Sequence, residues 1–265
     1  MKSLLTAVWR YRYFILSSIK VDFRSRFVRS RLGGLWLIIH PLVQAATFAL
    51  VLGQLLSGRL PDMSENKLAY AIYLLAGTLA WTLFTEVITR CLTVFIDNGN
   101  LLKKLVFPKI CLPLIVTGSA IINNILLLGA VLAVFAVMGY MPGIRVFWVP
   151  ILIVITLALS LGIGLILGTL NVFIRDIGQV VPIALQLGFW FTPIVYTPDI
   201  VPEVVRGLMQ LNPMYWIVRA YQNAILYGTA LPWESLGLIF LSSLMLLRLA
   251  MTLFRRARHE MVDVL

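Results

Sequence analysis

The chain has 265 residues, 60% of them hydrophobic and only 12% charged, with a mean hydropathy of +0.95. A water-soluble domain carries about 25% charged residues, so there is too little polar surface here to coat a soluble globule, and lipid is the solvent. A net charge of +11 would suggest nucleic acid in a soluble protein, but most basic residues flank apolar runs. That assigns them to membrane topology and lipid headgroups, with no nucleic acid as a partner.

Residues 1–33 form a basic arm with eight Lys/Arg and no apolar stretch before Leu35, which predicts an N-terminus that stays in place. Ile15, Ile19, Phe23 and Phe27 recur at helical spacing, and Trp9, Tyr11 and Tyr13 suit the headgroup level. Arg26 and Arg29 fall on other sides than Lys20 and Arg24, so this helix is only weakly amphipathic.

A bilayer core requires roughly 20 apolar residues per helix. Six segments meet that length: 34–56, 68–90, 111–138, 147–173, 177–197 and 235–254. Pro182 and Pro193 predict a bend or break in the fifth, near its outer end. From there to Glu234 the chain is punctuated by Pro198, Pro202, Pro213 and Pro232, a pattern of short re-entrant or interfacial helices. The basic residues divide 17 to 5 between the two sides if both termini are cytosolic, as an even span count requires. The expected units are an arm (1–33), a six-span domain (34–254) and a tail (255–265).

Catalytic motifs are missing. No glycine-rich loop ends in Gly-Lys-Ser/Thr, so the chain has no usual cradle for ATP phosphates. His40, His259, Cys91 and Cys111 lack metal-ligand spacing; the cysteines read as packing residues and His40 as a hydrogen-bonding partner of a neighbouring helix, ahead of a proton or substrate role. Glu86 stands four residues before Arg90, so an ion pair within the helix competes with a role for an intramembrane acid. Ser160, Gly164 and Gly168 lie four apart and predict close helix packing. Phe48, Trp81, Phe84, Phe189, Trp190, Phe191 and Tyr196, on the first, second and fifth spans, are either ordinary core and lipid-facing aromatics or a lining on which sugar rings slide.

Five stretches occur in order: RSRLGGLWLIIHPLVQ (Arg29 to Gln44), NGNLLKKLVFPKICLP (Asn98 to Pro113), NVFIRDI (Asn171 to Ile177), LQLGFWFTPIVY (Leu185 to Tyr196) and LNPMYWIVRAYQNAIL (Leu211 to Leu226). Together they resemble the ABC-2 type permeases that export polysaccharides, in the O-antigen and teichoic-acid group. The resemblance implies an all-α integral membrane protein of six transmembrane helices. It would have an N-terminal interface helix, a cytosolic coupling helix and short external re-entrant helices. It also implies a homodimer in the bacterial inner membrane, paired with two copies of a separate ATPase subunit that binds ATP and Mg, with no cofactor and no enzymatic activity in this chain. The cargo would be a lipid-linked polysaccharide, most simply O-antigen; capsule, teichoic acid, and small lipid or drug substrates stay open, as does a secondary transporter.

On that mapping the coupling helix starts at Gly99, Asn100, Leu101, Leu102, Lys103 and Lys104. The external gate holds Asn212, Pro213 and Met214, and the interface arm contributes Arg24, Arg26, Arg29 and Arg31. The residues agree with the coupling assignment. Asp97 or Asn98 can cap a short helix, leucines give it an apolar side, and Pro108 ends it and re-aims the chain.

Overall fold

A computed structural model describes residues 9–27, 35–56, 67–99, 108–137, 139–257 and 260–261. Among these, every regular element is helical: α1 (Arg12–Phe27), α2 (Trp36–Leu56), α3 (Lys67–Asp97), α4 (Cys111–Val137), α5 (Val149–Phe173), α6 (Ile177–Trp190), α7 (Glu203–Gln210), α8 (Pro213–Gln222) and α9 (Trp233–Ala257). Four helical segments among the described residues are long and apolar enough to cross a membrane: Ala69–Asp97, Cys111–Val137, Ile144–Phe173 and Trp233–Ala257.

α3 is the hub, touching α2, α4, α5 and α8. From Ile72 to Trp81 every residue is buried. A helix apolar on all sides has to be covered on all sides, and over this stretch α3 is. The second span extends well beyond 68–90, to Asp97. Arg90 reads as the end of an apolar run, but inside the fold it has partners and the helix continues past it. Asn98 closes the last turn by donating from Nδ2 to the Val94 carbonyl (2.8 Å).

α5 lies between α3 and α9, and its small residues face both. A methyl placed on Gly164 would lie 2.9 Å from Cys91 Cβ; one on Gly168 would overlap the Cys91 carbonyl oxygen; one on Gly162 would lie 3.1 Å from Leu246 Cβ. Ser160, Gly164 and Gly168 are all buried, as the packing reading required. Asn171 Nδ2 donates to the Leu92 carbonyl (2.9 Å) at the same crossing. Cys91 and Cys111 are buried free thiols. Backbone-to-backbone approach of this kind holds helices together where lipid supplies no hydrophobic drive.

The fifth apolar segment does not form one helix from 177 to 197. α6 stops at Trp190, and its 14 residues cover about 21 Å, less than the roughly 30 Å hydrocarbon core. The chain then runs irregularly to Thr197, passes through a short 3-10 turn (Pro198–Ile200) and enters α7 and α8. Residues 192–195 are buried, and irregular backbone buried in protein must have its polar groups satisfied there. Here Tyr70 donates to the Val195 carbonyl (2.7 Å), Tyr73 to the carbonyls of Pro193 and Tyr196 (both 2.8 Å), and Gln222 Nε2 to that of Pro193 (2.9 Å). α8 is itself deeply buried against α3, and a π-helical turn (Asn223–Tyr227) follows it. Tyr140, from the α4–α5 connection, donates to the Ile225 and Leu226 carbonyls of that turn (2.9 Å each). Gly228 then reverses the chain at φ 56°, a left-handed conformation suited to glycine.

Candidate translocation groove

α2, α3 and α6 bring five of the seven singled-out aromatics into one cluster. Phe189 of α6 stacks on Phe48 of α2 (centroids 6.1 Å, planes 23° apart) and meets Trp81 of α3 edge-on at 5.9 Å. Trp81 also contacts Phe84 (5.6 Å), and Phe189 contacts Trp190 (5.7 Å). Gly188 lets the Trp81 ring lie against α6, since an added methyl would sit 3.2 Å from Trp81 Cη2. Phe191 is half exposed and lies outside this ring cluster. Tyr196 also lies outside it: its hydroxyl donates to the Trp190 carbonyl and approaches Met209 Sδ (4.0 Å).

Beside the cluster a cleft of about 510 Å³ opens on the molecular surface. Its apolar wall includes Trp81, Phe189 and Trp190, and its polar wall is His40, Gln44, Thr82, Thr85, Thr89 and Gln186. Thr85 donates to the Trp81 carbonyl (2.9 Å) and Thr82 to that of Leu79 (3.2 Å). Their hydroxyl protons are thus engaged within the helix, while the oxygen lone pairs remain available as acceptors. Flat rings flanked by hydroxyl and amide groups, with no Asp, Glu, Lys or Arg in the lining, can hold a hydrated apolar-faced ligand weakly and release it. His40, expected to bond to a neighbouring helix, makes no hydrogen bond to another described residue; it is exposed and lines the cleft.

Aromatic content alone did not identify the polar wall. Its signal was nevertheless in the sequence: Thr82, Thr85 and Thr89 stand three and four apart on α3, and His40 and Gln44 stand four apart on α2. Both spacings put the groups on one helix face.

The ionisable residues form a second cluster, where α1, α3 and α4 meet. Arg90 Nη2 lies 2.7 Å from Asp22 Oδ2 of α1, and Arg90 Nη1 lies 3.6 Å from Glu86 Oε1. The same Nη1 donates to the Val116 carbonyl of α4 (3.3 Å), and Asn123 Nδ2 donates to Glu86 Oε1 (2.6 Å). Glu86 and Arg90 do pair, but the tighter partner of Arg90 is 68 residues away.

At the candidate gate, Asn212 caps α8: its Oδ1 accepts from Met214 N (3.0 Å) and its Nδ2 donates to Thr192 Oγ1 (3.0 Å). Pro213 takes the first helical position, where its missing N–H costs nothing. Met214 is buried beneath it. In the coupling segment Gly99 is buried at the end of α3, while Asn100, Leu101, Leu102, Lys103 and Lys104 lie outside the described residues. Arg24 is exposed on α1; the side chain of Arg26, and Arg29 and Arg31, lie outside the described residues too.

An all-helical bundle with four helices long and apolar enough to cross a membrane and a ring-lined cleft has the form of a transport permease. Residues 14–226 match the ABC-2 type transporter family, and the chain belongs to it. Among curated relatives, an O-antigen export system permease protein RfbA from Myxococcus xanthus is 29% identical over 263 residues, covering 98% of both chains. A Klebsiella pneumoniae protein of the same name is 24% identical over 245 residues (92% of both). The polysialic acid transport protein KpsM of Escherichia coli is 23% identical over 245 residues, 91% of this chain and 92% of its own length.

Proposed function

We propose that this chain is the membrane-spanning subunit of an ATP-driven exporter that moves a lipid-linked polysaccharide, most simply O-antigen, across the bacterial inner membrane. The observation that carries the reading is the cleft between α2, α3 and α6, where stacked rings face hydroxyl and amide groups. A polysaccharide is long and hydrated, so it has to advance stepwise, and aromatic stacking releases each sugar more readily than buried charge does. The cleft is open on one side. A second copy related by a two-fold axis would close it into a channel, so the working unit is a homodimer.

In this reading the chain crosses the membrane six times, with α2 and the broken α6 segment completing the set and both termini cytosolic. The segment beginning Gly99 to Lys104 is the coupling helix, on which two copies of a separate ATPase subunit act; ATP and Mg belong to that subunit. The α7–α8 region around Asn212, Pro213 and Met214 closes the outer end. The relation to KpsM supports a second cargo, a capsular polysaccharide, on the same path.

The test is a gene deletion complemented in cells, scored by surface glycan and by lipid-linked glycan retained inside. Wild type should restore display, whereas Trp190→Ala, at a half-exposed ring, and Gln186→Ala should restore it poorly at normal protein abundance. Normal display from both variants would remove the cleft from the path. A deletion strain with unchanged surface glycan would remove the export reading itself.

A further inference from the structure

α1 is joined to the bundle in two unlike ways. On α4 it is packed: a methyl on Gly118 would overlap the Ile19 side chain, so the two helices interlock there. Toward α3 a cavity of about 720 Å³ remains, lined by Ser17, Asp22 and Ser25 of α1, Arg90 and Thr93 of α3, and Val116 of α4. The 2.7 Å contact between Asp22 and Arg90 spans that space. Arg90 and Glu86 then border a second cavity, of about 470 Å³, whose walls include His40, Thr82, Thr85 and Thr89. Those four residues also line the groove. The polar contacts that start at the arm helix therefore end at Arg90 and Glu86, in the wall of a cavity that shares these four residues with the groove.

We infer that the Asp22–Arg90 pair transmits displacement of α1 to the groove wall during transport, with Arg90 as a positioning residue. An ion pair is a poor source of net stability, since apolar groups of similar volume would hold the helices at least as well. What it supplies is a defined geometry that is either made or broken. Arg90 divides its donors between Asp22 on one side and Glu86 and Val116 on the other, so drawing Asp22 away changes the load on Glu86. Asn123 follows, because it donates to that same carboxylate oxygen. The cavity gives the Asp22 side of α1 room to move toward or away from α3, with the Ile19–Gly118 contact on α4 as the fixed side.

This inference rests on the export reading, so the experiment separates the two. The deletion strain is complemented with Asp22→Asn, Arg90→Gln, the double variant and the conservative Asp22→Glu. Three quantities are measured: surface glycan, recovery of the permease with its ATPase from membranes, and ATP hydrolysis by the recovered complex. Coupling energies of this kind correspond to about fivefold or more. Each single variant should therefore lose at least that much surface glycan at near-normal recovery and hydrolysis, the double should be no worse than the worse single, and Asp22→Glu should regain most of the loss. Export that falls only in step with recovery, or in step with hydrolysis, would overturn the inference, as would additive losses in the double variant or unchanged export. Failure of the wild-type gene to restore glycan would instead overturn the export reading.

Discussion

Gly168→Ala tests how the two central helices are held together. The added methyl would overlap the Cys91 carbonyl oxygen and lie 3.0 Å from its carbonyl carbon. Non-bonded carbons settle at about 3.5–4.0 Å, so α3 and α5 must separate by on the order of 1 Å at the crossing. The obstacle is backbone and cannot swing aside. Overpacking of this type costs about 1–3 kcal/mol. The Asn171 bond to the Leu92 carbonyl sits in the same crossing, and losing it would add about 0.6 kcal/mol, the average for such bonds in a membrane protein. Thermal unfolding of the purified protein in detergent should show a clearly lower midpoint for Gly168→Ala. Gly129→Ala is the control, because nothing lies within 4 Å of its added methyl. If the two variants unfold together, close approach at Cys91 is not what holds α3 on α5.

Tyr73→Phe removes the donor to two carbonyls of the irregular segment and leaves Gln222 as the remaining donor to Pro193. Leaving buried acceptors without partners costs about 1–3 kcal/mol; the variant should unfold earlier, and cysteines placed at 194–196 should label faster than in the parent protein. For topology, reporter fusions after Leu60 and Met141 should read outside and a fusion after Lys104 inside; a cytosolic signal at Leu60 would overturn the orientation.

The long apolar helices were legible in the sequence, because a run of some 20 apolar residues implies a span without any knowledge of its neighbours. Expected 111–138 and 147–173 became Cys111–Val137 and Val149–Phe173. The small-residue spacing on α5 also translated directly into close approach. The course of α3 beyond Arg90 was not legible, since a charge looks like the end of a span until its partner is known, and Asp22 comes from a different helix. The end of α6 was partly legible: Pro182 and Pro193 announced a break, but not that Tyr70, Tyr73 and Gln222 would clamp the segment behind it. The ring cluster was visible as a set of residues on three spans, yet which of them meet is a matter of tertiary packing. Phe191 and Tyr196 share the helix-and-turn region of Phe189 and point elsewhere.

The length of α3 has a mechanical consequence. Its 31 residues span about 46 Å, some 16 Å more than the hydrocarbon core. Tyr70 and Tyr73, which clamp the broken segment, sit near one end, the Trp81–Thr89 wall of the groove lies midway, and Arg90 and the Gly99 junction follow toward the other end. A continuous helix with no internal proline behaves as a stiff strut over this distance, so displacement at one end is little absorbed along the way. Pivoting by about 5° about one end would carry the other through about 4 Å, roughly three quarters of a turn of helix rise. The clamp, the groove wall and the ion pair therefore share a single rigid member, and none of the three can shift far without moving the other two.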